Sequence, residues 1–247
     1  MIRQEKVSPE ALVCPSVGII VLDTNFPRLP GDAGNVDTWN FPVRYKIIRG
    51  AYPSRVIRGG WDQELLEPFL LAAKELEREG ASAITTSCGF LALYQKEFSG
   101  AVKVPVFTSS LLQVPWVYQL LKDGQIVGIL TVDSQALTPE HLAAVNAESI
   151  PVVIGGTEKG TAFTQTFVEN QPSFDPQEVE EDLIQAARKL VEQNPEVGAV
   201  VLECANMPPY ARAVREAVGL PVFDLTSLIY YVYQALARKD FAEMRRK

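Results

Sequence analysis

The stretch TTSCGFLALYQ, residues 85–95, places a cysteine directly after an apolar run and directly before a segment with helical character. The same construction returns 116 positions later in VLECANMPPYAR, residues 201–212. In each segment the cysteine, Cys88 or Cys204, stands where a predicted strand ends. The two thiols are therefore either separately buried small residues or two halves of one site.

Two further matches surround these cysteines. Residues 17–24, VGIIVLDT, are answered by residues 127–134, VGILTVDS, at an offset of 110 that keeps the glycine and the aspartate. Each cysteine is also followed, 17 residues later, by the tripeptide Pro-Val-Phe, which occupies 105–107 and 221–223. Matched blocks in the same order indicate an internal duplication. The two halves are predicted to be copies of one α/β unit.

Short β-branched apolar runs alternate along the chain with longer amphipathic segments, which predicts parallel sheets covered on both faces. The predicted fold is α/β with two pseudo-symmetric lobes, each a parallel sheet flanked by helices, and an active-site cleft between them. Lobe 1 is predicted to comprise 1–109 plus 225–247, and lobe 2 to comprise 110–224. The predicted strands are 17–22, 82–87, 104–107, 126–132, 151–154, 199–203 and 221–223. The predicted helices are 62–79, 89–98, 110–121, 139–146, 177–193, 208–218 and 227–238.

The composition excludes several classes of partner. The 247 residues carry a formal net charge of −7, and their one basic run is 245–247, so the surface that nucleic-acid binding requires is missing. The N-terminal sequence sustains no apolar stretch suited to a signal peptide or a membrane span, which predicts a cytoplasmic protein without a membrane partner. Three cysteines without paired spacing predict free thiols, and the lack of a Cys/His cluster predicts no metal.

In open parallel sheets, ligands bind beyond the carboxyl ends of the strands, so Cys88 and Cys204 are predicted to approach one ligand from opposite sides. Inversion of a stereocentre needs a base on one face and an acid on the other, and a thiol can serve in either role. Each of these cysteines precedes a predicted helix, whose N-terminus is expected to lower the thiol pKa. Cys14 precedes the first strand without a counterpart and is interpreted as a structural residue.

The candidate substrate-binding residues follow predicted strands or lie in the adjoining loops. Those after the cysteines, whose backbone amides are predicted to hold a carboxylate, are Gly89, Phe90, Ala205 and Asn206. Those connected with the first strand of each half are Asp23, Asn35, Asp133 and Ser134. The predicted ligand is a small carboxylate, and no cofactor is predicted because the sequence carries no signature for one.

The pattern resembles the aspartate/glutamate racemase superfamily, most specifically in Thr-Ser-Cys-Gly at 86–89 and Glu-Cys-Ala-Asn-Met at 203–207. Cofactor-independent members of that superfamily share a duplicated α/β fold with one cysteine per lobe, and their relatives include hydantoin racemases, arylmalonate decarboxylases and maleate isomerases. The resemblance, which extends from residue 17 to about residue 238, implies that Cys88 and Cys204 are the acid and base of a racemase or epimerase acting on an amino acid or related carboxylate. It also implies that the C-terminal helix packs on the first lobe.

Two departures from the family pattern concern the substrate. Family members commonly follow the first cysteine with Asn-Thr, whose side chains bind the substrate carboxylate, whereas this chain has Gly89 and Phe90. Glutamate racemases carry a histidine after the second cysteine, whereas this chain has Asn206 and Met207. The open alternatives are a decarboxylase or maleate-type cis–trans isomerase of the same superfamily, or a non-catalytic protein that binds a small carboxylate. An exposed helix face of such a fold is also compatible with a homodimer.

Three further features have a predicted placement. Glu203, next to Cys204, either raises the pKa of that thiol or points away from the ligand, and the second is favoured because successive residues of a strand face opposite sides. His141 is interpreted as a surface residue of its helix. The long connection 23–61 is either a lid that supplies an arginine to the ligand or a plain strand near 41–48 with solvated arginines, and the strand is favoured.

Overall fold

The computed structural model describes residues 14–59 and 62–238, which contain two four-stranded parallel sheets of identical topology. The strand order is β2-β1-β3-β4 in the first sheet and β6-β5-β7-β8 in the second. The strands are β1 (Val17–Leu22), β2 (Val43–Ile48), β3 (Ala83–Thr86), β4 (Val106–Phe107), β5 (Ile126–Thr131), β6 (Val152–Gly156), β7 (Val197–Leu202) and β8 (Val222–Phe223). The predicted α/β fold with two lobes is confirmed.

Helices flank both sheets. The α-helices are α1 (Pro53–Arg58), α2 (Gln63–Arg78), α3 (Gln95–Ala101), α4 (Val114–Gln119), α5 (Pro139–Ala144), α6 (Ala162–Phe167), α7 (Pro176–Gln193), α8 (Ala211–Val218) and α9 (Leu225–Leu236). Short 3₁₀ helices occupy Val36–Thr38, Gly89–Tyr94, Ser110–Gln113 and Pro208–Tyr210. Across residues 14–59 and 62–238, every helix is too short or too polar to cross a membrane.

The glycine repeated in the first strand of each half has a packing role. A Cβ on Gly18 would lie 3.0 Å from the side chain of Leu76 in α2. A Cβ on Gly128 would lie 3.2 Å from Leu190 in α7 and 3.0 Å from Val197. Both positions therefore let the longest helix of their half approach the sheet closely, and this shared requirement explains why the glycine recurs at the same place in each repeat.

The C-terminal helix α9 returns to the first sheet. Its residues Leu225, Leu228 and Ile229 share one hydrophobic cluster with Val17 and Ile19 of β1. This packing is the one that the family resemblance implied. The exact division into 1–109 plus 225–247 and 110–224 stays a prediction.

Candidate active site

Cys88 and Cys204 line one pocket near the carboxyl ends of β3 and β7. The empty space between its walls is about 360 Å³, a volume that includes open solvent. The residues that line it are Leu22, Thr24, Phe26, Arg28, Pro53, Ile57, Ser87, Cys88, Gly89, Phe90, Val132, Phe167, Glu203, Cys204 and Asn206. Residues from both halves of the chain thus meet at one site.

The first cysteine, Cys88, is 7% exposed and begins the 3₁₀ helix that follows β3. Burial, and secondarily the charge of Glu203, raises its pKa to about 12, although backbone N–H groups of Phe90 and Leu91 donate to the sulfur and favour the thiolate. The prediction that a helix N-terminus lowers this pKa is wrong, because the desolvation of the thiolate outweighs the two amides.

The second cysteine, Cys204, is half-buried and is oriented by a chain of polar groups. Its Sγ donates to Oδ1 of Asn206 at 3.6 Å, and Nδ2 of Asn206 donates to Oδ2 of Asp32 at 2.6 Å. The other oxygen of Asp32 accepts from Arg28 at 2.7 Å. Because the carboxylate of Asp32 must face the amide N–H₂, the amide oxygen faces the thiol and stabilises its protonated form. Burial, followed by the charge of Glu203, holds the pKa of Cys204 well above its ordinary value.

Glu203 is buried in the wall of this pocket, with 1% of its surface exposed. Its Oε2 accepts from Thr131 Oγ1 at 2.8 Å, while Oε1 has no hydrogen-bond partner among the described residues. Burial raises the pKa of Glu203 to about 7, against the lowering effect of Thr131. The prediction that Glu203 points away from the ligand is wrong, because β7 ends at Leu202 and strand alternation no longer applies beyond it.

Gly89 lies directly against Glu203. A Cβ at this position would overlap both the carboxylate and the backbone carbonyl oxygen of Glu203. The chain therefore requires glycine directly after the first cysteine. The departure from the family pattern at Gly89 is thus coupled to the glutamate next to Cys204.

Two other predicted ligand contacts, Phe90 and Asn206, also line the pocket. Ala205 does not, because it is fully buried in the hydrophobic cluster around α9. The backbone amides of Phe90 and Asn206, which were expected to hold a substrate carboxylate, donate instead to the sulfurs of Cys88 and Cys204.

Asp23 and Asn35 lie outside the lining of the pocket. Asp23 accepts from Arg49 Nη1 and from the amide of Gly50, both at 3.0 Å, and these contacts hold its pKa below the ordinary value. Asn35 caps the 3₁₀ helix that follows it, since its Oδ1 accepts from the amide of Asp37 at 2.7 Å. Both residues shape the loop after β1, and the structure does not bring them to the thiols.

Asp133 and Ser134 are likewise used by their own loop. Asp133 Oδ1 accepts from the amides of Gln135 and Ala136, and Ser134 Oγ donates to Glu158 at 2.6 Å. Neither lines the pocket that contains the cysteines. The repeat therefore places the aspartate of each half in a turn-forming position rather than beside the ligand.

His141 is buried, with 5% of its surface exposed, so its interpretation as a surface residue is wrong. Its Nδ1 accepts from the amide of Thr138 at 3.2 Å in a capping box at the start of α5. The ring packs edge-on against Phe90, with centroids 5.4 Å apart. Burial lowers its pKa. His141 thus supports one wall of the pocket from behind.

The connection after β1 contains the favoured plain strand and also places one arginine in the pocket lining. It contains the plain strand β2, and most of its arginines form ion pairs near the surface. Arg28 differs, because its side chain is 11% exposed, pairs with Asp32 and lines the pocket beneath the ring of Phe26. Within residues 14–59 and 62–238, no group of His, Cys, Asp and Glu side chains is arranged to hold a metal ion.

Two parallel-sheet lobes that present one thiol each to a shared pocket define a class of two-cysteine α/β protein. The profile of the Asp/Glu/Hydantoin racemase family matches residues 72–230, and the chain belongs to this family.

The chain is similar in sequence to several dimethylsulfoniopropionate lyases. The chain is 29% identical over 215 residues to a dimethylsulfoniopropionate lyase of Durusdinium sp. clade D, an alignment that covers 85% of this chain and 71% of that protein. It is 30% identical over 224 residues to dimethylsulfoniopropionate lyase 7 of Emiliania huxleyi strain CCMP1516, which covers 86% of this chain and 65% of that protein. A solved mutant of arylmalonate decarboxylase in its sulfate-associated form superposes with a TM-score of 0.62 over 90% of this chain and 93% of that one. At 16% identity, that likeness is one of fold.

Proposed function

We propose that this protein is a lyase that splits dimethylsulfoniopropionate into dimethyl sulfide and acrylate. The observation that carries the proposal is the similarity to dimethylsulfoniopropionate lyases, which extends over 85% of the chain or more in both relatives. The pocket is consistent with such a substrate, because it combines two thiols and one arginine with a largely apolar wall.

The proposed reaction needs one base. Dimethylsulfoniopropionate carries a carboxylate at one end and a sulfonium two carbons away. Removal of a proton from the carbon next to the carboxylate releases an electron pair that forms the C=C bond, while the C–S bond breaks and its electrons leave with sulfur. The products are acrylate, neutral dimethyl sulfide and a proton on the base. The leaving group takes no proton, so an acid is not required.

Cys88 is the better placed of the two thiols to act as this base. Two backbone amides donate to its sulfur and the charge of Arg28 lowers its pKa, so the thiolate has stabilising neighbours. Cys204 donates a hydrogen bond to Oδ1 of Asn206, and negative charge on Asp32 raises its pKa further. Thiolate is the reactive form of cysteine, so these surroundings support Cys88 as the proposed base.

Arg28 is the group proposed to bind the substrate carboxylate. It is the one positively charged residue in the described lining of the pocket. A guanidinium matches a carboxylate through two parallel hydrogen bonds and is always charged at physiological pH. Its ion pair with Asp32 holds it in place within the loop after β1.

A racemase remains the second candidate, because both thiols reach one pocket from matching positions of the repeat. It shares the first step, removal of a proton next to a carboxylate, and differs in returning a proton from Cys204. Incubation in deuterated water separates the two functions. Dimethyl sulfide in the headspace and acrylate in solution are expected from dimethylsulfoniopropionate. Exchange or inversion of amino acids or hydantoins, without release of dimethyl sulfide, would refute the lyase and favour the racemase.

We expect kcat/KM of the lyase reaction to rise with pH between about 6 and 9. The base must be deprotonated, and burial raises the pKa of Cys88 to about 12. Below the pKa, the thiolate fraction grows about tenfold for each pH unit, and kcat/KM follows the ionisation of the free enzyme. The check is the initial rate of dimethyl sulfide release at low substrate concentration, and a profile that falls from pH 6 to pH 9 would exclude a thiolate base.

A further inference from the structure

Glu203 is the one acidic residue in the described lining of the pocket. We propose that Glu203 selects the substrate by holding the positive charge of a methylated onium group against its carboxylate. This inference rests on the proposed lyase function. It names the residue that separates the substrate from carboxylates of the same shape that lack the positive charge.

The side chain of Glu203 reaches across the pocket from one half of the chain to the other. It starts just beyond the end of β7 and lies against Gly89, which follows the end of β3. A side chain at position 89 would fill the space that the carboxylate occupies. Because position 89 is glycine, the side chain of Glu203 can lie between the loop that follows Cys88 and the loop that contains Cys204.

Within the described residues, the carboxylate of Glu203 is only half satisfied. Thr131 donates to Oε2, whereas Oε1 is buried without a hydrogen-bond donor. Arg28, the one cation in the described lining, is paired with Asp32. A buried carboxylate oxygen without a donor destabilises the fold, so its presence in a pocket indicates a function rather than a contribution to stability.

The rest of the wall suits methyl groups on a cation. Two phenylalanine rings, those of Phe90 and Phe167, line the pocket together with Glu203, while the ring of Phe26 lies against the guanidinium of Arg28. Aromatic faces attract methylated cations. Unlike a primary ammonium group, a fully methylated cation has no N–H groups that need hydrogen-bond acceptors. With Arg28 for the carboxylate, the pocket offers one charge of each sign and matches a zwitterion whose cationic end is methylated.

Binding of the cation also favours the base. The charge of Glu203 raises the pKa of both Cys88 and Cys204. An onium group beside the carboxylate offsets that charge, and this lowers the pKa of both thiols. The substrate therefore assists the ionisation of the thiol that removes its proton.

A pair of unreactive probes tests the selection directly. 3-(Trimethylammonio)propionate and 4,4-dimethylpentanoate have the same shape and differ in one positive charge, and calorimetry measures both dissociation constants. The wild-type protein is expected to bind the trimethylammonio probe about 30-fold more tightly than 4,4-dimethylpentanoate. Glu203→Gln is expected to reduce this preference at least about tenfold. Glu216→Gln, an exposed partner of Arg212 on α8, is the matched control and is expected to keep the wild-type ratio.

The outcomes separate this inference from the proposed reaction. An unchanged binding ratio in Glu203→Gln overturns the role of Glu203, even if dimethylsulfoniopropionate is cleaved. A reduced ratio in a protein that cleaves no onium substrate supports the role of Glu203 and refutes the lyase. If Glu203→Gln does not fold, Glu203→Asp replaces it, and its shorter side chain is expected to lower the ratio at least about threefold; an unchanged ratio would again overturn the inference.

Discussion

Cys88→Ser is expected to lower kcat/KM for dimethylsulfoniopropionate by about 10³-fold or more, whereas Cys204→Ser is expected to cost less than about tenfold. A serine hydroxyl is a far weaker acid than a thiol, so serine at position 88 forms far less of the anion that the proposed base requires. An elimination uses one base and its sulfide leaves without a proton. The effects of the two substitutions should therefore be unequal, although the residues occupy matching positions.

The tolerance at Cys204 follows from its contact with Asn206. The thiol donates to Oδ1 of Asn206, and a serine hydroxyl can donate to the same oxygen. The link from Asn206 to Asp32 is expected to persist, so the pocket keeps its shape.

Rates of dimethyl sulfide release over a range of substrate concentrations measure both effects, with Cys14→Ser as the control. Cys14 is exposed and lies outside the pocket, so its replacement is expected to leave kcat/KM unchanged. Melting temperatures of the three variants show whether a loss of activity reflects unfolding. Equal losses at Cys88 and Cys204 would contradict a one-base elimination and favour two-base proton transfer, and a larger loss at Cys204 would reverse the assignment of the base.

The repeat in the sequence was sufficient to predict the fold. β1 begins and ends where the apolar run predicts, at Val17 and Leu22, and the other predicted strands overlap observed ones. The six-residue helices α1 and α6 were missed, whereas α4 and α5, which have the same length, fall within the predicted helices 110–121 and 139–146. Predicted helix 208–218 begins as a 3₁₀ turn, since Pro208 and Pro209 provide no backbone N–H groups.

The cysteine pair and its immediate neighbours were also predictable, because strand ends in a parallel sheet converge. Other pocket residues were not. Phe167 of α6 has no counterpart that a repeat would reveal, and Glu203 reaches the pocket only because the chain leaves the sheet after Leu202. The sign of the thiol pKa shift depends on burial by distant segments, which no local pattern contains. Local chemistry was thus predictable, whereas its electrostatic surroundings were not.

Gly89→Ala is expected to lower the melting temperature by about 2–12 °C and to abolish most of the proposed lyase activity. The new methyl group would overlap the carboxylate and the backbone carbonyl oxygen of Glu203. Overpacking of this kind costs about 1–3 kcal/mol, and in a protein of this size each kcal/mol shifts the melting temperature by about 2–4 °C. Because one of the two overlapping groups is backbone, the chain after β7 must move, and Cys204 moves with it.

Gly100→Ala is the matched control, since a Cβ on Gly100 in α3 meets nothing within 4 Å. Alanine is the better helix former, so this substitution is expected to leave the melting temperature unchanged or slightly higher. The double variant Gly89→Ala, Glu203→Ala removes the side-chain overlap but keeps the overlap with the backbone oxygen, so it is expected to regain only part of the lost stability. If Gly89→Ala has the same melting temperature as Gly100→Ala, the close contact between Gly89 and Glu203 is not a constraint on the fold. In that case, the space left by glycine after Cys88 is needed by the ligand, and not by the side chain of Glu203.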